Sequence, residues 1–341
     1  MVPSLWMVEP WLDQVRSKIL DLARTETPFV TNLAEHALLA RGQMLRPSLL
    51  LASSLLGGAS EPCPEAISLG VIVELIHCAS LLHDDVVDKS RIRRRLITVN
   101  AKWGNKEAVL LGDFVLARAI RCLCKVPDPK VLASIERITY SLSVGQLMEL
   151  EQSGNIDLDE DSYLRIISHK TARFFAECAY LGGWTAGLDD DALTHVSSFG
   201  LSLGMSYQIL DDLLDILGSA PGMGKDTTHD AANGNVTLPV IWLLRSALPS
   251  QRDRVIEALN ARDLTFLRDN LVRHVADGGA RAYCIEKARS YSAQAKSEID
   301  ALSARCPSTI ERALTEVLGY VFARVDAGGD ASLAAEKAAE S

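Results

Sequence analysis

The 341-residue sequence lacks the marks of a secreted, membrane-spanning or nucleic-acid-binding protein. Its first residues, MVPSLWMVEPWLDQ, have neither the basic start nor the apolar run of a signal peptide, so we expect a cytoplasmic protein. Glu74 and His77 interrupt the richest apolar stretch, around 69–82, before it reaches the ~18 residues of a membrane span, so we expect no transmembrane segment. A formal net charge of −9 argues against nucleic acid as a partner, because a phosphate backbone requires a basic face.

The seven cysteines form no disulfide or zinc framework. Cys122 and Cys124 lie close together, but no second Cys or His pair follows at zinc spacing. We therefore interpret the cysteines as reduced packing residues of a cytosolic protein.

Strand signals are scarce, with little period-two alternation and no Asn-Gly or Asp-Gly turn between β-branched runs. Apolar residues instead recur at three- and four-residue spacing, which predicts an all-α fold of ten or more helices. The periodic segments are Trp11–Arg24, Arg46–Leu56, Ala66–Ser90, Lys106–Cys124, Lys130–Gln152, Ser162–Ala186, Ala192–Leu217 and Ala280–Leu302. Because no Pro- or Ser-rich linker divides the chain, we expect one domain over residues 1–326. The small, charged residues 327–341 are expected to be a disordered tail.

One short pattern occurs twice, as LLHDDVVD at 81–88 and QILDDLLD at 208–215. In each copy three aspartates lie at positions i, i+1 and i+4, which places the first and last on one helical face and the second on its flank. The two triplets are Asp84, Asp85 and Asp88, then Asp211, Asp212 and Asp215.

Apolar neighbours on both sides of each triplet predict partial burial, where unpaired carboxylates are costly. A hard divalent cation resolves this cost, and Mg²⁺ typically uses one or two carboxylates together with waters and phosphate oxygens. A solvated acidic face is the alternative for either motif alone. The duplication in apolar surroundings favours metal binding, and the absence of a loop glycine and twelve-residue ligand pattern argues against a calcium hand.

Basic residues accompany both motifs. Arg93 and Arg94 follow the first, Lys170 and Thr171 lie in SHKTARFF, and Lys225 follows the second. These cations could form simple salt bridges. Beside metal-binding carboxylates, they also have the composition that a diphosphate site needs.

These motifs resemble those of the trans-prenyl (polyprenyl) diphosphate synthase family, and the resemblance covers roughly residues 8–326. It rests on ELIHCASLLHDDVVD at 74–88, GNKEAVLLGDFVLARA at 104–119, GMSYQILDDLLD at 204–215 and VTLPVI at 236–241. The resemblance implies an antiparallel helical bundle of the isoprenoid synthase type around a deep central cavity, in a homodimer. The two aspartate motifs would face each other across the cavity mouth.

The resemblance also implies roles for individual residues. Asp84, Asp88 and Asp211 would bind Mg²⁺ most directly, while Asp85, Asp212 and Asp215 would complete or support the cluster. Lys170 would share the catalytic work of these six aspartates. The allylic diphosphate would be held by Arg93, Lys170, Thr171, Gln208 and Lys225, and isopentenyl diphosphate by Arg46, His77 and Arg94.

The reaction implied is condensation of isopentenyl diphosphate with an allylic prenyl diphosphate. Ionisation of the allylic substrate creates a carbocation and a charged leaving group, which requires cations beside a dry apolar pocket. The growing chain would run beside the helix that carries Asp84. Ala79 and Ser80 lie one turn before the motif and Ile76 one turn further, and none is aromatic, so we predict a product longer than C20.

The sequence departs from the family pattern mainly in its basic residues. Gln43 and Asn235 stand where the family usually has lysines, Thr228 replaces a glycine, and Arg95 and Ile97 replace the usual Gly and Pro. The isopentenyl site is therefore expected to be weakened. Two alternatives to chain elongation stay open: a terpene synthase that cyclises a preformed prenyl diphosphate, and a non-catalytic subunit of a heteromeric synthase.

Overall fold

The computed structural model describes residues 7–38, 42–94, 96–217, 235–261, 275, 279–303, 306–319 and 322. Helices dominate them, which confirms the all-α class. The α-helices are α1 (Glu9–Ala23), α2 (Pro28–Leu38), α3 (Leu45–Ser53), α4 (Pro64–Val87), α5 (Val99–Lys102), α6 (Asn105–Leu123), α7 (Pro129–Gln152), α8 (Glu160–Ile167), α9 (Arg173–Thr185), α10 (Asp190–Leu217), α11 (Leu238–Ser246), α12 (Pro249–Ala261) and α13 (Ala280–Asp300). One π-helical turn, Ser168–Ala172, joins α8 to α9.

Several helix boundaries follow from local sequence. Pro64, Pro129 and Pro249 each begin a helix, where the missing N–H costs nothing. Asp159 caps α8, its Oδ1 accepting a hydrogen bond from the backbone N–H of Ser162 at 2.7 Å.

The observed helices match the predicted segments closely, with two kinds of difference. The segment Ser162–Ala186 is one periodic run in the sequence but is broken by the π-helical turn. The sequence did not predict α2, α5, α11 or α12, nor the hairpin of β1 (Ile92–Arg93) and β2 (Leu96–Ile97), in which Ile92 pairs with Ile97 and Arg93 with Leu96.

The chain divides into two compact units. Unit 1 comprises Met1–Tyr140, Phe175–Gly200 and Glu298–Val317; unit 2 comprises Ser141–Phe174, Leu201–Ser297 and Leu318–Ser341. Each unit is therefore built from separated stretches of sequence. The expectation of one domain over residues 1–326 stays a prediction, and the tail at 327–341 lies outside the described residues.

Helix α4 is the central element of unit 1, where it packs against α1, α3 and α6. Its contact with α6 is very close, because a Cβ added to Gly112 would lie 2.2 Å from Nε2 of His83. Burial on most sides explains why α4 is apolar nearly all round.

Among the described residues, α4 is also the one helix with the length and composition to cross a membrane, which corrects the expectation that no stretch has them. Of its most apolar 18-residue window, 67% is buried inside the fold. Packing within unit 1 therefore accounts for its apolar character.

Candidate active site

The first aspartate motif ends α4 in unit 1. Asp84 and Asp85 lie in its last turn and Asp88 is the C-terminal capping residue. Carboxylates here face the negative end of the helix dipole, so nearby positive charge is required to stabilise them. Asp85 is buried, at 5% exposure, whereas Asp84 and Asp88 are half-buried.

The hairpin β1–β2 supplies the partner of the buried carboxylate. Arg93 Nε donates to Oδ1 of Asp85 at 2.7 Å. Asn100 Nδ2 donates to the backbone carbonyls of Asp85 and Ser90, at 3.0 and 2.9 Å, which fixes the hairpin to the end of α4. Asp85 therefore connects the motif to its basic hairpin.

A second group of charged residues lies beside α4. Nη1 of Arg46 is 3.2 Å from Nε2 of His77, and its guanidinium lies 5.2 Å from the ring centroid of Phe175. Burial lowers the pKa of His77 well below its usual value and the neighbouring arginines lower it further, so the ring is neutral. Burial raises the pKa of Glu74, and Arg46 and Arg94 oppose the rise.

Gly42 brings the loop before α3 against this group. A Cβ at Gly42 would lie 2.4 Å from Nη1 of Arg94, so only glycine permits this approach without displacing the guanidinium. The next residue, Gln43, is exposed. The structure therefore brings together the three residues predicted to hold isopentenyl diphosphate, Arg46, His77 and Arg94, with Gln43 adjacent in sequence to the Gly42 contact.

The second aspartate motif lies on α10, in unit 2, and repeats the burial pattern of the first. Asp212 is buried, at 6% exposure, and Asp211 and Asp215 are half-buried. Tyr163 Oη donates to Oδ2 of Asp212 at 2.6 Å, and Gln208 Nε2 donates to Oδ1 at 2.6 Å. In both motifs, then, the middle aspartate is buried and held by donors of the protein.

Burial raises the pKa of Asp212 to about 7, against the hydrogen bonds from Tyr163 and Gln208, and the neighbouring Asp211 and Asp215 add to the rise. Three carboxylates this close repel one another when all are charged. A bound cation beside Asp211 and Asp215 would relieve that repulsion.

The π-helical turn carries the other predicted diphosphate contacts of unit 2. Lys170 Nζ forms an ion pair with Oε2 of Glu149, which also accepts a hydrogen bond from Nε2 of Gln146 at 3.1 Å. Thr171 Oγ1 donates to Oε1 of Gln208 at 2.7 Å, so Thr171 and Asp212 hold opposite ends of one amide. Such turns often occur at functional sites.

The donor set fits a magnesium ion that shares its ligands with a substrate. Among the described residues no group of three or more His, Cys, Asp or Glu side chains could hold a metal by itself. Mg²⁺ bound through one or two carboxylates plus phosphate oxygens needs no such group. The half-buried aspartates of each motif offer hard oxygen ligands of this kind.

An apolar pocket lies further along α4 in unit 1. Its volume is about 350 Å³, and its lining residues are Ile72, Ile76, Leu116, Ala119, Ile120, Leu123, Leu132, Ile135, Glu136 and Thr139. Of these described residues none is aromatic. Ile76 lines this pocket, whereas Ala79 is buried and Ser80 is half-buried with its Oγ donating to the carbonyl of His77. The role of these three residues in chain length stays a prediction.

Lys225 and Thr228 lie outside the described residues. Sequence reasoning missed Tyr163 as the partner of Asp212 and Asn100 as the anchor of the hairpin, because neither lies within a recognisable motif. Glu74 carried a signal, as a charged residue inside an apolar run, but was not interpreted as part of the site.

Comparison with known proteins decides the family. The model of the polyprenyl synthetase family matches residues 27–268. The chain belongs to the polyprenyl synthetase family. It is therefore a transferase of prenyl groups. The heptaprenyl diphosphate synthase component 2 of Bacillus subtilis is 32% identical over 241 residues, which are 70% of this chain and 69% of that protein.

Relatives in this family differ in product. The geranylgeranyl diphosphate synthase of Saccharolobus solfataricus is 32% identical over 260 residues, 74% of this chain and 77% of that protein. A solved polyprenyl synthase from Caulobacter crescentus, complexed with calcium and isoprenyl diphosphate, has a TM-score of 0.86 and 31% identity, and the match covers 94% of this chain and 97% of that one. These comparisons confirm the isoprenoid synthase type of fold.

Proposed function

We propose that the protein condenses isopentenyl diphosphate with an allylic prenyl diphosphate to give a trans-polyprenyl diphosphate longer than C20. The observation that carries the proposal is the repeated arrangement of the two aspartate motifs. Each has a buried middle aspartate held by protein donors, Asp85 by Arg93 and Asp212 by Tyr163 and Gln208. In each motif the two flanking aspartates are half-buried.

Magnesium is the metal we propose, held by Asp84, Asp88 and Asp211 with Asp215 in support. When bound, it would neutralise charge on the departing diphosphate. Arg93, Lys170, Thr171, Gln208 and Lys225 would bind and orient the allylic diphosphate. Of these, Lys170 provides a charge-assisted donor next to the buried Thr171.

The isopentenyl diphosphate would bind at Arg46, His77 and Arg94. A neutral His77 accepts a hydrogen bond from Nη1 of Arg46 through its Nε2 and adds no positive charge beside the arginines, which limits their mutual repulsion. The apolar lining around Ile76 would exclude water from the carbocation and receive the growing chain. The departing diphosphate can accept the proton lost after alkene attack, so no dedicated protein base is required.

The proposed assembly is a cytoplasmic homodimer. Its supporting observation is the apolar surface of α6, where Val109 is 40% exposed and Leu110 is 67% exposed. Large apolar side chains grouped on one surface helix mark interaction sites.

Product analysis separates elongation from its alternatives. Purified protein with Mg²⁺ is incubated with geranyl, farnesyl or geranylgeranyl diphosphate, with and without isopentenyl diphosphate, and the products are identified by mass spectrometry. We expect products longer than C20 only when isopentenyl diphosphate is present. A hydrocarbon or alcohol formed from the allylic substrate alone would establish a terpene cyclase, and inactivity until a partner subunit is added would establish a heteromeric synthase.

A further inference from the structure

The buried middle aspartate of the second motif has both carboxylate oxygens engaged by side chains of unit 2. Tyr163 donates to one oxygen and Gln208 to the other, each at 2.6 Å. Tyr163 is itself 2% exposed, and Asp212 is 6% exposed. A charge-assisted hydrogen bond to a buried carboxylate is strong and directional, so this arrangement fixes the rotation of Asp212.

Helix α8, which carries Tyr163, is held at its beginning by α13. Glu160 accepts hydrogen bonds from Oη of Tyr283 at 2.6 Å and from Nζ of Lys287 at 2.7 Å. Glu160 and Tyr163 are three residues apart and so lie on neighbouring positions of one helical face. Helix α8 therefore links α13 to the aspartate motif through two successive contacts. Glu160 contacts α13, and Tyr163 contacts Asp212.

We propose that Tyr163 is a positioning residue of the second aspartate motif, which fixes Asp212 against the protein and thereby orients Asp211, with Asp215 in support, toward the metal. The geometry separates two roles within one triplet. An oxygen that accepts from Tyr163 or Gln208 has less capacity left for a cation, whereas the half-buried flanking aspartates lie on the same helical face as each other. The inference rests on the proposed metal-dependent function and deepens it.

The test is direct binding of Mn²⁺ to the full-length protein, followed by electron paramagnetic resonance in the presence of an unreactive allylic thiodiphosphate. Tyr163→Phe removes one oxygen and preserves the ring. We expect it to weaken Mn²⁺ binding by up to about tenfold, because an Asp212 that is no longer fixed orients Asp211 less well, and one hydrogen bond to a charged group sets the upper limit of that loss. Tyr140→Phe is the matched control, because Tyr140 is 57% exposed on α7, and should leave binding unchanged.

A double-mutant cycle separates positioning from general destabilisation. If Tyr163 acts only through Asp212, then Tyr163→Phe should cause no further loss of Mn²⁺ affinity in the Asp212→Ala variant. Should Asp212→Ala fail to fold, Asp212→Asn replaces it. In that background Tyr163→Phe should lower the Mn²⁺ affinity less than about threefold, because the hydrogen bond between Tyr163 and Asn is neutral. Unchanged Mn²⁺ affinity in Tyr163→Phe, or a full tenfold effect retained in either double variant, would overturn the proposal.

Thermal unfolding without metal provides the second measurement. A purely structural role for Tyr163 would lower the Tm of the metal-free protein while leaving the Mn²⁺ affinity of the folded fraction intact, and that result would also contradict the proposal. The binding assay is independent of product identity. If wild-type protein ignores isopentenyl diphosphate, the proposed elongation is wrong, yet the Mn²⁺ measurements still decide the role of Tyr163.

Discussion

At the scale of single residues, each of the two motifs has one buried middle carboxylate and two half-buried flanking carboxylates. Asp85 and Asp212 are buried against protein donors, while Asp84 and Asp211 are half-buried. The spacing alone predicted which positions share a face. The spacing could not show that the middle carboxylate already accepts hydrogen bonds from the protein, because the donors Arg93 and Tyr163 come from elsewhere in the chain.

Removal of a metal-binding carboxylate should abolish most activity. We expect Asp84→Ala and Asp211→Ala each to lower kcat by at least about a hundredfold, since each removes a proposed ligand of the cation that stabilises the leaving group. Asp21→Ala is the control, because Asp21 is exposed and pairs with Arg24 at the surface. Steady-state kinetics with Mg²⁺ measure the effect, and full activity in excess EDTA would refute the metal assignment.

Gln43 should limit the affinity for isopentenyl diphosphate. Gln43→Lys adds a cation at an exposed position beside the Gly42–Arg94 contact. A charge-assisted contact to phosphate is worth about 1.5–3 kcal/mol, so the KM for isopentenyl diphosphate should fall roughly ten- to a hundredfold while the allylic KM stays nearly constant. Equal changes in both KM values would show that Gln43 does not act at a separate isopentenyl site.

At the scale of secondary-structure elements, the sequence predicted helices where the periodicity is long and failed where tertiary contacts decide. The break between α8 and α9 is an example. Gly145 on α7 lies so close to the π-helical turn that a Cβ there would be 2.6 Å from the backbone nitrogen of Lys170. The hairpin β1–β2 is a second example of an element that the sequence did not predict. Its strands have two residues each, and side-chain hydrogen bonds from Asn100 and His36 to backbone carbonyls hold it in place.

Gly145→Ala should therefore disturb the π-helical turn. The added methyl would contact backbone that cannot move aside as a flexible side chain could, so we expect a loss of about 1–3 kcal/mol in unfolding free energy and a higher allylic KM. Gly319→Ala is the control, since nothing lies within 4 Å of its added Cβ. Denaturant unfolding and steady-state kinetics measure both variants, and equal behaviour would contradict this account of the turn.

Helix α4 should set the product length from one side. Ser80 lies four residues before Asp84, and Ile76 lies eight before it, about 12 Å along the axis. A phenylalanine at position 80 would place a ring between the motif and the pocket that Ile76 lines, so Ser80→Phe should shorten the product. Ser68→Phe, nearer the start of α4, is the control. An unchanged product distribution in Ser80→Phe would place the chain-length determinant on another helix.

At the scale of the whole molecule, the exposed apolar side chains of α6 predict association. Leu110→Lys should convert the proposed homodimer to a monomer, because a lysine in the centre of an apolar interface is costly to desolvate. Leu248→Lys is a closely matched control, since Leu248 is 66% exposed and Leu110 is 67% exposed. Analytical ultracentrifugation measures the state of each variant, and a monomeric wild type would refute the proposal directly.

The contact between Gly42 and Arg94 affects which positions in this part of the enzyme can accept substitutions. Any side chain at position 42 would have to displace the guanidinium of Arg94, because an added Cβ would lie 2.4 Å from its Nη1. Position 43, its neighbour, is exposed and can accept a residue of either charge without repacking. Laboratory evolution for slower or faster elongation should therefore recover changes at position 43 more often than at position 42.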